Sequence, residues 1–324
     1  MRRRGFFEPL QLKVIAGSGK VPPLADLLQA LDFESAAEAK LDPALFAEIA
    51  GGDRSALERI TFRPRMMVNT TGLDLTSELL GAKLFAPIFA GPMGNLKRFH
   101  PEGEVAAARG ASAAKAPFVL SADSDCSIQE VAAALKSPWW YQVYANAAPV
   151  AAKEKIRQAS EAGAKALVIT ATGPVREWAA VEALRKGMKL PVVLKGVVSA
   201  AEAKAALEHG VQGIVVSRPA RPGAAGLASP MESLASVVDT VAGRVPVLID
   251  GGFRRGGDVL KALATGASAV LLGRPVVWAL SAYGAEGVQS MLETTQTDLA
   301  RDMAMCGKVN LKALDRTVIR VHKA

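Results

Sequence analysis

Cysteine, histidine and long apolar runs are all scarce in this 324-residue sequence, which has two cysteines and three histidines. Cys126 and Cys306 form neither a disulfide framework nor a metal-binding pattern, so we expect free thiols in a reducing compartment and no metal site. No apolar run reaches the roughly 20 residues that a membrane-spanning helix requires. These absences argue against a disulfide-stabilised secreted protein, a cysteine-ligated metal centre and an integral membrane protein.

The first residues and the overall charge bear on location and partners. The start, MRRRGFFEPLQLKVIAGSG, resembles a twin-arginine export signal, but Glu8 and Lys13 interrupt the apolar stretch that such a signal needs. A cytoplasmic location is therefore predicted. The formal net charge of +8 favours an anionic ligand. Because the lysines and arginines are scattered along the chain, we predict a small anionic substrate and do not expect nucleic acid or a membrane as a partner.

From residue 81 onward, short apolar runs alternate with alanine-rich segments of helical period. Eight of the apolar runs are predicted strands, at 84–91, 117–122, 139–145, 166–171, 191–196, 213–217, 246–250 and 269–273. The predicted helices between and after them are 102–116, 127–135, 150–162, 177–186, 200–209, 231–241, 257–264 and a long one from 276. Strands that are apolar on both faces, each followed by a helix, predict a closed (β/α)8 TIM barrel of the α/β class, with a doubly wound open sheet as the alternative.

Residues 1–65 do not show the alternation of strand-like and helix-like segments that marks the rest of the chain. They are predicted to form a leader and an N-terminal helical appendage, with helices at 24–31 and 34–40. Residues 66–324 are then the barrel domain. Within it, residues 66–84 are predicted to be a hairpin that plugs the lower mouth of the barrel.

Two glycine-rich stretches follow the last two predicted strands, DGGFRRGGD at 250–258 and GRP at 273–275. In (β/α)8 barrels, phosphate commonly binds between the loops after strands seven and eight. Glycines let backbone N–H groups approach an anion, and a helix that begins near Gly256 adds the positive end of its dipole. The guanidinium groups of Arg254 and Arg274 can donate bidentate hydrogen bonds to phosphate oxygens. The two stretches together predict a phosphate site, with ordinary tight turns as the alternative.

Polar side chains also end the other predicted strands, and they suit a flat ring with heteroatoms at its edge. They are Ser121, Gln142, Tyr144, Thr170, Lys195 and Ser217. Lys195 ends an apolar strand, where an unpaired ammonium would be costly, so a partner is expected. Lys195 is predicted to stabilise negative charge on the ring, with a purely structural salt bridge as the alternative.

At these positions the sequence resembles the FMN-dependent α-hydroxy-acid oxidases and dehydrogenases, which include glycolate oxidase, lactate oxidase and mandelate dehydrogenase. The resemblance runs from about Asp32 to Val318, and its most specific stretches are FRPRMM, FHPEGE, YQVY, LKGV, IDGGFRRGGDVLKALATGA and LLGRP. It implies FMN as the cofactor, and the absence of a G-x-G-x-x-G turn argues against FAD. The residues implied to hold FMN are Pro92, Met93, Gly94, Ser121, Gln142, Thr170, Lys195, Ser217, Asp250, Gly251, Gly252, Arg254, Gly273 and Arg274.

The substrate half of the family pattern is incomplete. In the family, a histidine after strand six accepts the substrate hydroxyl proton, and here Pro219, which cannot accept a proton, stands at that position. Glu48 stands in place of a substrate-binding tyrosine, and Thr172 in place of an aspartate that orients the histidine. Either of two arginines could clamp a substrate carboxylate. The candidate catalytic residues are Tyr144, Lys195, Arg218 and Arg221.

Three functions remain open at this point. The first is an FMN-binding oxidoreductase for an anionic substrate that need not be a simple 2-hydroxy acid. The second is a catalytically silent FMN-binding protein, and the third is a non-redox FMN enzyme such as an isomerase or lyase. Loss of a general base costs about 10² to 10⁴ in rate, which disfavours ordinary 2-hydroxy-acid oxidation. We favour the FMN-binding oxidoreductase because the residues of the family pattern that hold FMN are nearly all present. Homo-oligomers occur among the relatives, but the sequence shows no interface.

Overall fold

The computed structural model describes residues 21–171, 178–218 and 229–322. Eight of its parallel strands, β4 to β11, close into a barrel in which β11 pairs with β4. The predicted (β/α)8 barrel is therefore confirmed, and the open sheet is excluded. In chain order the strands are β1 (Ile60–Phe62), β2 (Ser77–Leu79), β3 (Ala82–Leu84), β4 (Ile88–Ala90), β5 (Phe118–Ser121), β6 (Trp139–Tyr144), β7 (Leu167–Thr170), β8 (Val192–Val197), β9 (Gly213–Val216), β10 (Val247–Asp250), β11 (Ala269–Leu272) and β12 (Ile319–Val321).

Each barrel strand is followed by a helix that covers the outside of the sheet. The helices of the described residues are α1 (Ala30–Lys40), α2 (Pro43–Ala47), α3 (Ser55–Glu58), α4 (Gly103–Ala113), α5 (Ile128–Ala134), α6 (Pro149–Glu161), α7 (Trp178–Arg185), α8 (Ala200–Glu208), α9 (Pro230–Val241), α10 (Gly256–Thr265) and α11 (Arg274–Met305). Helix α11 bends at Gly284. None of these helices combines the length and the apolar character that crossing a bilayer would require.

The strands divide the core into two apolar layers because alternate side chains of a strand point to opposite faces. One layer fills the barrel itself and includes Phe89, Val119, Trp140, Val168 and Val193. The other lies between the strands and the helices and contains most of the remaining buried apolar side chains. Strands that are buried on both faces explain why the sequence shows apolar runs with little polar alternation.

A hairpin closes the end of the barrel where the strands begin. Strands β2 and β3 pair antiparallel, with Leu79 opposite Ala82. Leu79 and Leu84 are buried in the layer that fills the barrel, beside Phe89 and Trp140. The hairpin is therefore the predicted plug, but it covers only 77–84, whereas the prediction began it at residue 66.

The predicted helix at 34–40 is confirmed, because it lies within α1, whereas the predicted helix at 24–31 is wrong. The chain instead makes one short 3-10 turn at Leu24–Asp26 and the single helix α1. The carboxylate of Asp32 accepts hydrogen bonds from the backbone N–H groups of Leu28 (2.8 Å) and Gln29 (3.0 Å), which fixes the start of α1. Helix α1 packs against α11, and β1 pairs with β12. The domain division at residue 65 stays a prediction.

Candidate active site

A cavity of about 710 Å³ lies at the carboxyl ends of the barrel strands. All eight strands or the loops after them contribute to its lining, as expected for the active face of such a barrel. Ser121 lies beneath the lining, and Arg221, Pro219 and Thr172 lie outside the described residues. The predicted site residues that line the cavity are Pro92, Met93, Gly94, Gln142, Tyr144, Thr170, Lys195, Ser217, Arg218, Asp250, Gly251, Gly252, Arg254, Gly273 and Arg274.

Strand register brings several of these side chains to the same edge of the sheet. Ser121 is paired with Gln142, while Thr170 is paired with Tyr144 on one side and Lys195 on the other. These residues are far apart in the sequence, and the closed barrel makes them neighbours. The polar strand ends identified in the sequence therefore form one continuous surface.

Two arginines lie together at one end of the cavity. Arg254 is only 3% exposed and donates to the carbonyls of Phe253 (2.8 Å) and Gly51 (2.6 Å). Arg274 donates to the same Gly51 carbonyl at 2.6 Å. Burial, together with the charge of Arg274, lowers the pKa of Arg254 to about 10. A phosphate dianion beside the two guanidinium groups would offset their mutual repulsion, so this end fits the phosphate of FMN.

The loop between β10 and α10 is held in place by Asp258, a residue that the sequence analysis missed. Its carboxylate is 4% exposed and accepts from the backbone N–H groups of Arg254 (3.0 Å) and Arg255 (3.2 Å). Arg54 donates to Asp258 at 3.0 Å and to the carbonyl of Gly252 at 2.8 Å. The position of Asp258 at the third residue of α10 is a capping signal that could have been read from the sequence. Nothing in the sequence indicates the contact of Arg54.

A chain of buried hydrogen bonds crosses the floor of the cavity. The Ser121 hydroxyl donates to Gln142 Oε1 at 3.0 Å, and Gln142 Nε2 donates to the Thr170 hydroxyl at 2.9 Å. All three side chains are buried. Because each polar group has a partner, the amide and hydroxyls are fixed in orientation. They offer both donors and acceptors, which is the chemistry that the heteroatoms of an isoalloxazine ring require.

Lys195 has a carboxylate partner, as expected for an ammonium group at the end of an apolar strand. Its Nζ lies 2.8 Å from Asp250 Oδ2 and 3.3 Å from the Ser217 hydroxyl. The ammonium also lines the cavity, so the ion pair places a positive charge at the surface where the ring would lie. The lining as a whole fits FMN, with cations at the phosphate end, fixed dipoles in the middle and a lysine beside the ring.

The cavity lining also contains Tyr144 and Asp123, and Asp123 was not among the residues predicted from the sequence. Burial and a hydrogen bond to Asp123 raise the pKa of Tyr144 to about 12. The backbone of Asp123 is fixed, since its N–H donates to the Ser121 hydroxyl at 3.2 Å and its carbonyl accepts from the Asn95 N–H at 2.9 Å. A Cβ at Gly94 would lie 2.6 Å from the Asp123 Cβ, so only glycine permits this approach. The signal in the sequence was a carboxylate two residues after a strand end.

Two further ion pairs involve carboxylates that line the cavity. Arg218 Nη2 lies 3.7 Å from Asp53 Oδ2, and hydrogen bonds from Ser55 lower the pKa of Asp53. Arg98 Nη1 donates to Glu48 Oε2 at 2.9 Å, and the hydrogen bond lowers the pKa of Glu48. Both carboxylates line the cavity. They come from the appendage, which therefore contributes to the site as well as packing beside it.

Other groups that could carry chemistry lie elsewhere. None of the three histidines lines the cavity, and His209 stacks on Trp178 with ring centroids 3.9 Å apart. Burial raises the pKa of the thiols of Cys126 and Cys306, which makes both less reactive. In the described ranges, no three histidine, cysteine, aspartate or glutamate side chains are grouped as metal ligands would be.

Comparison with known proteins agrees with this arrangement. A family model described as FMN-dependent dehydrogenase matches residues 48–178 and 172–321. A 4-hydroxymandelate oxidase of Amycolatopsis orientalis is 34% identical over 88% of the chain and 96% of that relative. A glycolate oxidase of Spinacia oleracea is 32% identical over 89% of the chain and 94% of the relative.

Solved structures show the same similarity in three dimensions. A crystal structure of mandelate oxidase with 3,3-difluoro-2-hydroxy-3-phenylpropionic acid has a TM-score of 0.85 and 34% identity, over 92% of the chain and 100% of that structure. A flavocytochrome b2 with sulfite bound has a TM-score of 0.85 and 29% identity, over 93% of the chain and 88% of that structure.

Proposed function

Because the chain belongs to the family of FMN-dependent dehydrogenases and its cofactor is FMN, we propose that it is a flavin oxidoreductase. Its substrate is a small anion that carries a hydroxyl group, a class that includes simple 2-hydroxy acids and is not limited to them. The observation that carries this proposal is the single cavity in which the groups suited to phosphate and ring lie beside Tyr144 and Arg218. The named relatives include oxidases of hydroxy acids.

The cofactor is assigned to three sets of residues. The loop of Pro92, Met93 and Gly94 lies along one edge of the ring, and the hydrogen-bonded floor supports its polar edge. Lys195, with Ser217 beside it, stabilises negative charge on the ring, while Asp250 keeps the ammonium in position. The residues assigned to the ribityl chain and phosphate are Asp250, Gly251, Gly252, Arg254, Gly273 and Arg274.

The substrate is assigned to Tyr144 and to an arginine of the loop after β9. When bound, FMN supplies a two-electron acceptor for the hydrogen of the substrate C–H bond. Tyr144 keeps its proton at neutral pH and can donate a hydrogen bond. Arg218 binds the substrate carboxylate with its forked donors, in competition with Asp53. Arg221 is a second candidate for that role. We propose that Pro219 leaves this active site without the histidine base of the family.

An anaerobic flavin-reduction screen tests the proposed function. The FMN-loaded protein is mixed with glycolate, (S)-lactate, (S)-mandelate and longer hydroxy acids, and the visible absorbance of the flavin is followed, with dithionite as the positive control. We expect at least one hydroxy acid to bleach the flavin. We also expect Tyr144→Phe to slow that bleaching while the affinity for FMN changes little. Bleaching by dithionite alone would favour the FMN-binding protein without redox activity.

A further inference from the structure

The oxidation proposed above must release a proton from the substrate hydroxyl, and no histidine lines the cavity. An alcohol that becomes a carbonyl loses the hydrogen of its C–H bond with two electrons and the hydrogen of its O–H bond as a proton. A group at the site has to take that proton. Among the described residues of the lining, the side chains able to do so at neutral pH are four carboxylates, those of Glu48, Asp53, Asp123 and Asp250.

Three of these carboxylates are already bound to cations. Asp250 is paired with Lys195 at 2.8 Å, and Asp53 with Arg218 at 3.7 Å. Glu48 is held by Arg98, whose hydrogen bond lowers the pKa of the carboxyl group. A carboxylate stabilised by a cation is a weaker proton acceptor, because protonation would remove that stabilisation. These three groups are therefore poorly suited to the task.

Asp123 differs from the other three in its partner. The neutral phenol of Tyr144 lies beside its carboxylate, and Asp123 forms no ion pair with the described part of the chain. The backbone around it is fixed by the contacts of Ser121, Asn95 and Gly94. The backbone of Asp123 is thus held at a defined place beside Tyr144, while the carboxylate remains open to the cavity.

We propose that the Asp123 carboxylate is the catalytic proton acceptor of this site and that Tyr144 positions it, an inference that rests on the proposed function. The substrate O–H bond breaks and its proton forms a bond to an Asp123 carboxylate oxygen. The C–O single bond becomes a double bond as the C–H hydrogen leaves with its electron pair, for which bound FMN would be the two-electron acceptor. The acid form of Asp123 then loses its proton to water through the mouth of the cavity.

The rate of flavin reduction gives the first test. Asp123→Asn keeps the size of the side chain and removes its capacity to accept a proton. With any hydroxy acid that bleaches the wild-type flavin, this variant should bleach about 10² to 10⁴ times more slowly, with unchanged affinity for FMN. Asp125→Asn is the matched control, because Asp125 lies on the same loop, caps the Lys97 N–H at 2.9 Å and does not line the cavity. Bleaching by Asp123→Asn within threefold of wild type overturns the proposal.

A binding measurement tests the same residue without turnover. The FMN-loaded protein is reduced with dithionite and titrated calorimetrically with (S)-mandelate and with (S)-2-phenylpropionate, which has a methyl group in place of the hydroxyl. A hydroxyl that donates to a charged carboxylate should give mandelate an advantage of about tenfold or more. We expect Asp123→Ala to lose that advantage and Asp125→Asn to keep it.

The two measurements separate the two claims. If no donor bleaches the wild-type flavin, the proposed function fails, while the hydroxyl preference still decides whether Asp123 receives the hydroxyl. A preference that persists in Asp123→Ala, or a wild-type protein that binds neither ligand, overturns the role of Asp123. The role of Asp123 is supported if the Asp123 variants lose both the preference for mandelate and the rate of flavin reduction while Asp125→Asn keeps both.

Discussion

Tyr141, Tyr144 and Tyr283 are the three tyrosines of the chain, and each holds its proton more tightly than a tyrosine in water does. Burial is the largest cause in every case. At Tyr141 and Tyr144 the negative charge of Asp123 adds to burial, and the two causes together raise the pKa of each phenol to about 12. The phenol in the cavity is therefore a hydrogen-bond donor over the whole physiological range.

Alkaline titration of the folded protein should accordingly show Tyr141 and Tyr144 still protonated near pH 10, where a free tyrosine ionises. The raised pKa values also determine how the free energy of unfolding changes with pH. The unfolded chain loses these protons first, so their contribution to stability is complete below about pH 10 and is lost as the pH rises toward about 12. Tyrosinate absorbance in the near ultraviolet measures the transition. The protein unfolded in guanidinium serves as control, and ionisation of all three tyrosines near pH 10 in the folded protein would contradict the prediction.

The residues of the cofactor half could be predicted because each has a strong local signal. Glycines and arginines at the ends of predicted strands indicate an anion site, and Lys195 at the end of an apolar run requires a partner. Asp123 and Asp258 have only weak local signals, a carboxylate after a strand end and a capping position, and Arg54 has none. Their importance arises from contacts across the fold, and the contact of Arg54 with Asp258 joins residues far apart in the sequence.

At the scale of elements, the barrel strands and helices were predictable because each has a clear period and length. The appendage was predicted only in part, because the start of α1 depends on the capping contact of Asp32 and the other two helices are short. A five-residue helix such as α2 has too few residues to show a period. The plug was located correctly, since Leu79 and Leu84 are apolar, but only the structure shows where its pairing begins.

Helix α4 packs against α11 at a glycine, and this contact gives a stability prediction. A Cβ at Gly110 would lie 2.4 Å from the carbonyl oxygen of Ala285 and 2.7 Å from the Val288 Cβ. Gly110→Ala should lower the free energy of unfolding by about 1 to 3 kcal/mol, since the helices must move apart. Urea denaturation measures the change. Arg109→Ala, at the exposed neighbouring position, should cost less than about 1 kcal/mol. Equal losses in the two variants would show that the close helix contact is not responsible.

At the scale of the whole molecule, the site joins the appendage to the barrel. Gly51 contacts Arg254 and Arg274, and Arg54 contacts the loop after β10. A ligand that binds between these parts should therefore stabilise the entire fold. The family match over 48–321 likewise includes part of the appendage as well as the barrel.

FMN should raise the thermal midpoint of the protein by mass action. At a free concentration of one hundred times its Kd, FMN would add about 2.7 kcal/mol of stability. Riboflavin has the same ring without the phosphate, so it should give a smaller shift at equal concentration, because it cannot engage Arg254 and Arg274. Circular dichroism melts with each ligand measure the difference. Equal shifts would mean that the arginine pair does not bind the phosphate.

The pairing of β1 with β12 also orders events in time during synthesis. Ile60 lies opposite Val321, so the two partners are separated by roughly 260 residues of chain. At about 5 to 20 residues per second, a ribosome needs on the order of 13 to 50 seconds to make the intervening segment. Throughout that interval β1 lacks the strand with which it pairs in the folded protein, so this pairing can form only after the whole barrel has been synthesised.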